Sequence, residues 1–203
     1  MFVVVVRVLH WRISQVASLK SQLQQLSGHI TLERTCSAVL VPAGQMMVIP
    51  EGASVYIMQA KGTSVSVEYE GQMLMISDVD LDALGLEVDE SLYAHLHDSS
   101  RSIHDKAWSQ LKTCFDPEIP VNIVDLGLIY HCQVDDLDEG LQVRVVMTLT
   151  APGCGMGPVL IEEARRKLYM IDGVHTVVID MVFDPPWSQM MMSEVAKLEL
   201  GLL

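Results

Sequence analysis

Cys154 stands in a loop of small and turn-forming residues, Leu149-Thr150-Ala151-Pro152-Gly153-Cys154-Gly155-Met156-Gly157-Pro158, immediately ahead of a helical pattern. Pro158 suits the first turn of that helix, because the N–H it lacks has no intrahelical acceptor there. Glu162 and Glu163 precede Arg165, Arg166 and Lys167, an order that complements the helix macrodipole. A thiol just before a helix N-terminus, among Gly153, Gly155 and Gly157 whose backbone amides can approach it, favours the thiolate. Thiolate is the form that binds metals and attacks electrophiles. The arrangement predicts a reactive sulfur; the ordinary alternative is a small buried hydrophobe. A second candidate is the turn Asp116-Pro117-Glu118-Ile119-Pro120, whose prolines hold two carboxylates two positions apart. The competing reading makes Asp116 a helix-terminating turn residue and leaves Glu118 merely solvated.

The elements that position these loops follow from the patterning. Ile103, Ala107, Leu111 and Cys114 form a helical stripe that stops before Asp116-Pro117. A strand ending near Val134, an acidic turn over Asp135–Gly140 and a strand over Leu141–Thr150 predict an antiparallel hairpin. The helix Pro158–Met170, a strand Val174–Phe183 and a last helix around Met190–Leu200 follow, and the crossover helix implies a parallel partner for the third strand. Upstream, short β-prone runs at Ser37–Val41, Met46–Ile49, Ser54–Gln59, Ser64–Tyr69 and Met73–Ile76 are separated by glycine and proline turns, as in a small meander or partly closed barrel. The fold class read from this is α+β: a small all-β domain, then a compact α/β sandwich-like domain with a mixed sheet. The divisions expected are an appendage at 1–33 with a short helix over Ser14–Leu26, the β-rich domain at 34–86, an acidic linker at 87–100 and the second domain at 101–203.

Composition narrows the function. A formal net charge of −13 over 203 residues, without a basic stripe, argues against nucleic-acid binding. The apolar run Phe2–Val6 is too short to span a membrane and lacks the marks of a signal peptide, so cytoplasm is the expected location. The four cysteines, Cys36, Cys114, Cys132 and Cys154, contain no C-x-x-C pair, which argues against a zinc ribbon, and a disulfide framework is not expected. Cys114 and Cys132 read as core. Met46, Met47, Met58, Met73 and Met75 read as core filling rather than soft-metal ligands. His95 and His97, which would share one side of a strand, are weak as a metal pair.

Four ordered stretches of the second domain resemble the SufT and PaaD type of domain, a family implicated in iron–sulfur protein maturation. They are Asp116–Pro120, Ile123–Tyr130, Thr148–Cys154 and Val182–Ser193, the last containing Asp184-Pro185-Pro186-Trp187. The β-rich front half points to the SufT type in particular. The resemblance implies a non-enzymatic role in delivering clusters or recruiting recipients, with the family cysteine at Cys154 and the acidic pair at Asp116 and Glu118. It also implies a transient iron–sulfur cluster, and the assembly machinery and recipient apo-proteins as partners. The chain departs from the family at Gly155-Met156-Gly157, where many relatives place a proline directly after the cysteine.

Thiolates bind iron well and carboxylates serve as transient ligands, so the resemblance suggests one shallow site of Cys154, Asp116 and Glu118. One thiol cannot hold an ordinary four-ligand cluster, which favours a labile cluster shared with a second copy, as a homodimer, or with a partner. Trp187 is either a docking anchor for a recipient or a clamp on the last helix. A thiol enzyme with Cys154 as nucleophile and His131 or His175 as base is the alternative, and a pure scaffold a third reading.

Overall fold

The computed structural model describes Leu19, Gln22 and residues 28–88 and 90–202. The first domain is a six-stranded sheet of β1 (His29–Thr31), β2 (Cys36–Leu40), β3 (Met46–Ile49), β4 (Ser54–Lys61), β5 (Ser64–Tyr69) and β6 (Gln72–Ile76), in the order β1-β4-β5-β6-β2-β3. All its pairings are antiparallel. The turn residues read from the sequence explain the breaks: Gly44, Gly52, Gly62 and Gly71 all adopt positive φ. Leu32, Ile49, Val55, Leu74 and Ile76 fill one side, and the 3-10 helix Asp78–Leu84 closes it with Leu81 and Leu84.

This domain begins earlier than the composition suggests. β1 lies within the stretch expected to be an appendage, and it pairs with β4 through Ile30 and Val55. Most of the helix expected over Ser14–Leu26 lies outside the described residues. Leu19 is buried in the first core, and the Gln22 side chain exchanges two hydrogen bonds with the backbone of Glu87.

The stretch expected to be a loop-like linker contains a 3-10 turn, Glu90–Tyr93, and a helical turn, α1 (Ala94–His97). On this turn His95 and His97 do not alternate as on a strand, and burial lowers the pKa of His95.

The second domain follows the order read from its patterning: α2 (Ile103–Leu111), β7 (Ile129–Leu137), β8 (Gly140–Met147), α3 (Gly157–Leu168), β9 (Val174–Met181) and α4 (Glu194–Glu199), with a 3-10 turn at Gln189–Met191. Ser102 caps α2 by accepting from the Asp105 amide. β7 and β8 pair antiparallel, and β9 runs parallel to β8 in the order β7-β8-β9. The hairpin is tighter than expected, because Asp135 and Asp136 stay in the strand and leave a turn at Asp138-Glu139. Ala107, Leu111, Ile123, Leu126, Met147, Leu160 and Leu168 form the second core. The sheet with its helices and the all-β first domain make up the α+β architecture.

Candidate functional site

Three of the family-like stretches, Ile123–Tyr130, Thr148–Cys154 and Val182–Ser193, converge around Leu126-Gly127-Leu128. Asn122 Oδ1 accepts from the amides of Val124 and Asp125, tightening the turn before β7. The Thr148 amide donates to Leu128 O at 2.9 Å, which fixes the start of the Cys154 loop. Trp187 Nε1 donates to Leu126 O at 2.8 Å, the Tyr130 hydroxyl donates to Pro185 O, and the Ser193 amide donates to Asp125 O. Gly127, at φ 73°, passes so close to Met191 that an added Cβ would lie 2.2 Å from Met191 O. Trp187 is half-buried against the second core, an arrangement of a clamp. Sequence reasoning quoted Gly127 without assigning it a role; its position in an otherwise apolar run was the available signal.

Cys154 is the one cysteine of the four that is not buried. Gly153 turns the chain at φ 84°, and the Gly157 amide donates to Cys154 O at 3.2 Å as α3 begins. Burial pushes the other thiols up, Cys36 and Cys132 to about 11 and Cys114 to about 12, so these three are unreactive core groups.

The loop is not free on all sides. An added Cβ on Gly155 would lie 2.6 Å from the carbonyl oxygens of both Pro42 and Ala43, in the turn between β2 and β3. One on Gly44 would lie 2.0 Å from Gly155 O. Met156 is fully buried in a small cluster with Val39, Val41 and Met75, against which Met73, Val159 and Cys154 also pack. The two domains thus meet at Gly155 and Met156. Gly155 lets two backbones touch, and Met156 fills the space beneath. Of the methionines expected as core filling, Met75 is buried, whereas Met46 and Met58 are 67% and 50% exposed.

Of the two readings of the acidic turn, the contacts of Asp116 are those of a turn residue. Asp116 is buried, and its Oδ1 accepts from the amides of Glu118 and Ile119, the geometry of a turn residue. Gln59 Nε2 and Lys61 Nζ donate to Pro117 O, and Gly62 packs under Thr113 and Phe115. Burial lowers the pKa of Lys61, opposed by the fields of Asp116, Glu118 and Glu199, so the carboxylates of this turn lie in the field of an ammonium from the first domain. Among the described residues no group of three or more His, Cys, Asp and Glu is placed to hold a metal, so Cys154, Asp116 and Glu118 are not assembled into one ligating set. His131 faces Gln133, and His175 Nδ1 lies 2.9 Å from Gly173 O; each ring is engaged beside its own strand. Among the described residues no helix is long and apolar enough to cross a membrane.

Comparison with known proteins accounts for the second domain. The family model described as "Iron-sulfur cluster assembly protein" matches residues 104–179. An Fe-S protein maturation auxiliary factor from Porphyromonas gingivalis is 53% identical over 93 residues, 46% of this chain and 86% of that protein. The Fe-S protein maturation auxiliary factor SufT from Staphylococcus aureus is 44% identical over 87 residues, 43% of this chain and 96% of that protein. A crystal structure of a domain of unknown function from Bacillus anthracis is 31% identical, spans 50% of this chain and 93% of its own, and has a TM-score of 0.45. With three of its stretches stitched around one turn and relatives of this identity over most of their length, the chain belongs to the iron–sulfur cluster assembly protein family.

Proposed function

We propose that this protein is an auxiliary factor in the maturation of iron–sulfur proteins, acting through Cys154 as a transient carrier of a cluster or as an adaptor for its delivery. The observation that carries this reading is the contrast among the cysteines. Three are buried with raised pKa values, and the one in the loop before α3 is partly exposed. A single thiol does not retain a four-ligand cluster, so the cluster is cargo, held briefly between two copies of the chain or between the chain and a partner. Asp116 supports the loop architecture by accepting from the Glu118 and Ile119 amides. The partners are the assembly machinery and recipient apo-proteins, and the place of action is the cytoplasm.

A thiol enzyme is the weaker reading, because the two histidines proposed as bases hydrogen-bond beside their own strands. Anaerobic reconstitution with iron and sulfide, followed by absorbance and metal content, tests the carrier role. The wild type should acquire a labile chromophore that Cys154→Ser lacks. No chromophore in either protein, together with loss of maturation in Cys154→Ser, identifies an adaptor. Full maturation activity of a folded Cys154→Ser chain refutes the role of the thiol.

A further inference from the structure

The six-stranded domain rests on the second domain through a contact of mixed character. Its apolar part is small: Val39, Val41 and Met75 from one side and Met156 from the other, with Cys154 packed against them. A cavity of about 470 Å³ lies between Val39, Met46 and Met75 and the start of α3 at Pro158 and Val159, so the two bodies are not packed together throughout. Elsewhere the contact is polar, as where Gln59 and Lys61 donate to Pro117 O.

Asp78 ties three elements together. It begins the 3-10 helix that closes the first core, and its side chain is only 7% exposed. Its two oxygens accept from the Arg166 guanidinium of α3 at 2.5 and 3.1 Å, and Oδ2 also accepts from the Tyr93 hydroxyl at 2.8 Å. The first domain, the connecting segment and the helix that begins at the Cys154 loop are thus joined at one carboxylate. A domain contact with so small an apolar part resembles a transient interface, for which relative motion of the domains is expected. An ion pair whose arginine is 34% exposed is strong enough to bias that motion and weak enough to be released.

We propose that the six-stranded domain is an autoinhibitory cover on the Cys154 loop, latched by Asp78 and Arg166. In the closed state Val39, Val41 and Met75 take up one side of the thiol's surroundings, and the turn of Pro42 and Ala43 touches Gly155, the next residue. A cluster shared with a second chain needs that chain's ligands within bonding reach of the iron that Cys154 holds, so the cover moves aside for the transfer. This regulation rests on the reading of Cys154 as the thiol that handles the cargo.

The test uses the full chain and follows modification of Cys154 by two uncharged reagents, iodoacetamide and a bulky maleimide, read by intact mass. Asp78→Asn and Arg166→Gln should each accelerate it about tenfold, more for the bulky reagent, and Tyr93→Phe about threefold. The first two substitutions change the charge in opposite directions, so acceleration by both reports opening rather than a shifted thiol pKa. Salt should speed modification of the wild type and have no further effect on Arg166→Gln. Arg144→Gln, which breaks the exposed pair with Asp180, should leave the rate unchanged. Maturation activity should rise with the labelling rate. If the charge variants fail to fold, Tyr93→Phe and the salt dependence of the wild type carry the test. Wild-type labelling rates in the folded variants, acceleration by only one of the two charge variants, equal acceleration by Arg144→Gln, or faster labelling without faster maturation overturns the proposal. Labelling decides the latch, whereas maturation by Cys154→Ser decides the reading beneath it, so the two fail separately.

Discussion

Replacing Gly155 by alanine isolates the contact between the domains. Gly155 is not among the residues with positive φ, so alanine adds no backbone strain there. The added Cβ would lie 2.6 Å from the carbonyl oxygens of Pro42 and Ala43, both backbone atoms that cannot rotate away. Overpacking of this kind typically costs about 1–3 kcal/mol. If the cost falls on the closed arrangement, the population in which the domains part rises about 5- to 140-fold, at tenfold per 1.4 kcal/mol. Cys154 packs against the cluster at that contact while the other cysteines are buried, so alkylation under native conditions reports on it alone. Iodoacetamide labelling followed by intact mass should therefore accelerate by up to the same factor. Gly44→Ala, whose Cβ would meet Gly155 O from the other side, should do likewise. Gly52→Ala strains a positive-φ turn that faces open space and should leave the rate unchanged. A wild-type rate in Gly155→Ala, or equal acceleration in Gly52→Ala, refutes the reasoning.

Asp116→Ala should cost about 1–2 kcal/mol in urea unfolding, as for loss of a helix cap, whereas Asp116→Asn keeps the acceptor for Glu118 and Ile119 and should retain both stability and maturation activity. Loss of activity in a stable Asp116→Asn chain would restore a role for the charge. Stability should fall as pH rises above about 9, because Cys36, Cys114 and Cys132 keep their protons in the fold to about 11, 12 and 11 while the unfolded chain releases them earlier. Each cysteine contributes a slope of up to about 1.4 kcal/mol per pH unit in that window, and Cys132→Ala should remove its share when unfolding is compared at about pH 8.5 and 10.5. Trp187→Ala should lower stability by about 2–3 kcal/mol, part of it from the lost bond to Leu126 O; unchanged stability with lost recipient binding would make the ring a docking anchor instead.

Much of the fold was legible because its signals are local. Glycine turns delimited β2 to β6, and a single stripe through Ile103, Ala107 and Leu111 marked α2. The crossover helix set the parallel pairing of β8 with β9, since handedness and length leave few alternatives. What stayed hidden depends on tertiary partners. β1 is three residues long and exists because β4 offers it a free edge. Asp135 and Asp136 read as turn chemistry but remain paired across the hairpin with Gln142 and Leu141. At the site, the sequence singled out Cys154 and its glycines by type, yet the reason for Gly155 lies in Pro42 and Ala43, over a hundred positions away. The burial of Asp116 within its own turn was one of two open readings, and only the fold could choose between them.

The family model matches residues 104–179, so the six-stranded domain lies outside it. Here that domain is joined through residues 85–102 to the body it sits on. Tethering sets its effective concentration on the order of millimolar. A contact with an intrinsic dissociation constant near micromolar would then be closed about a thousandfold more often than open, with no need for the large apolar interface of an obligate dimer. A free-standing protein covering the same loop would have to be made in matching amounts and would dissociate on dilution. The covalent tether keeps the contact at fixed stoichiometry within a single molecule, so its closure is independent of how much protein the cell holds.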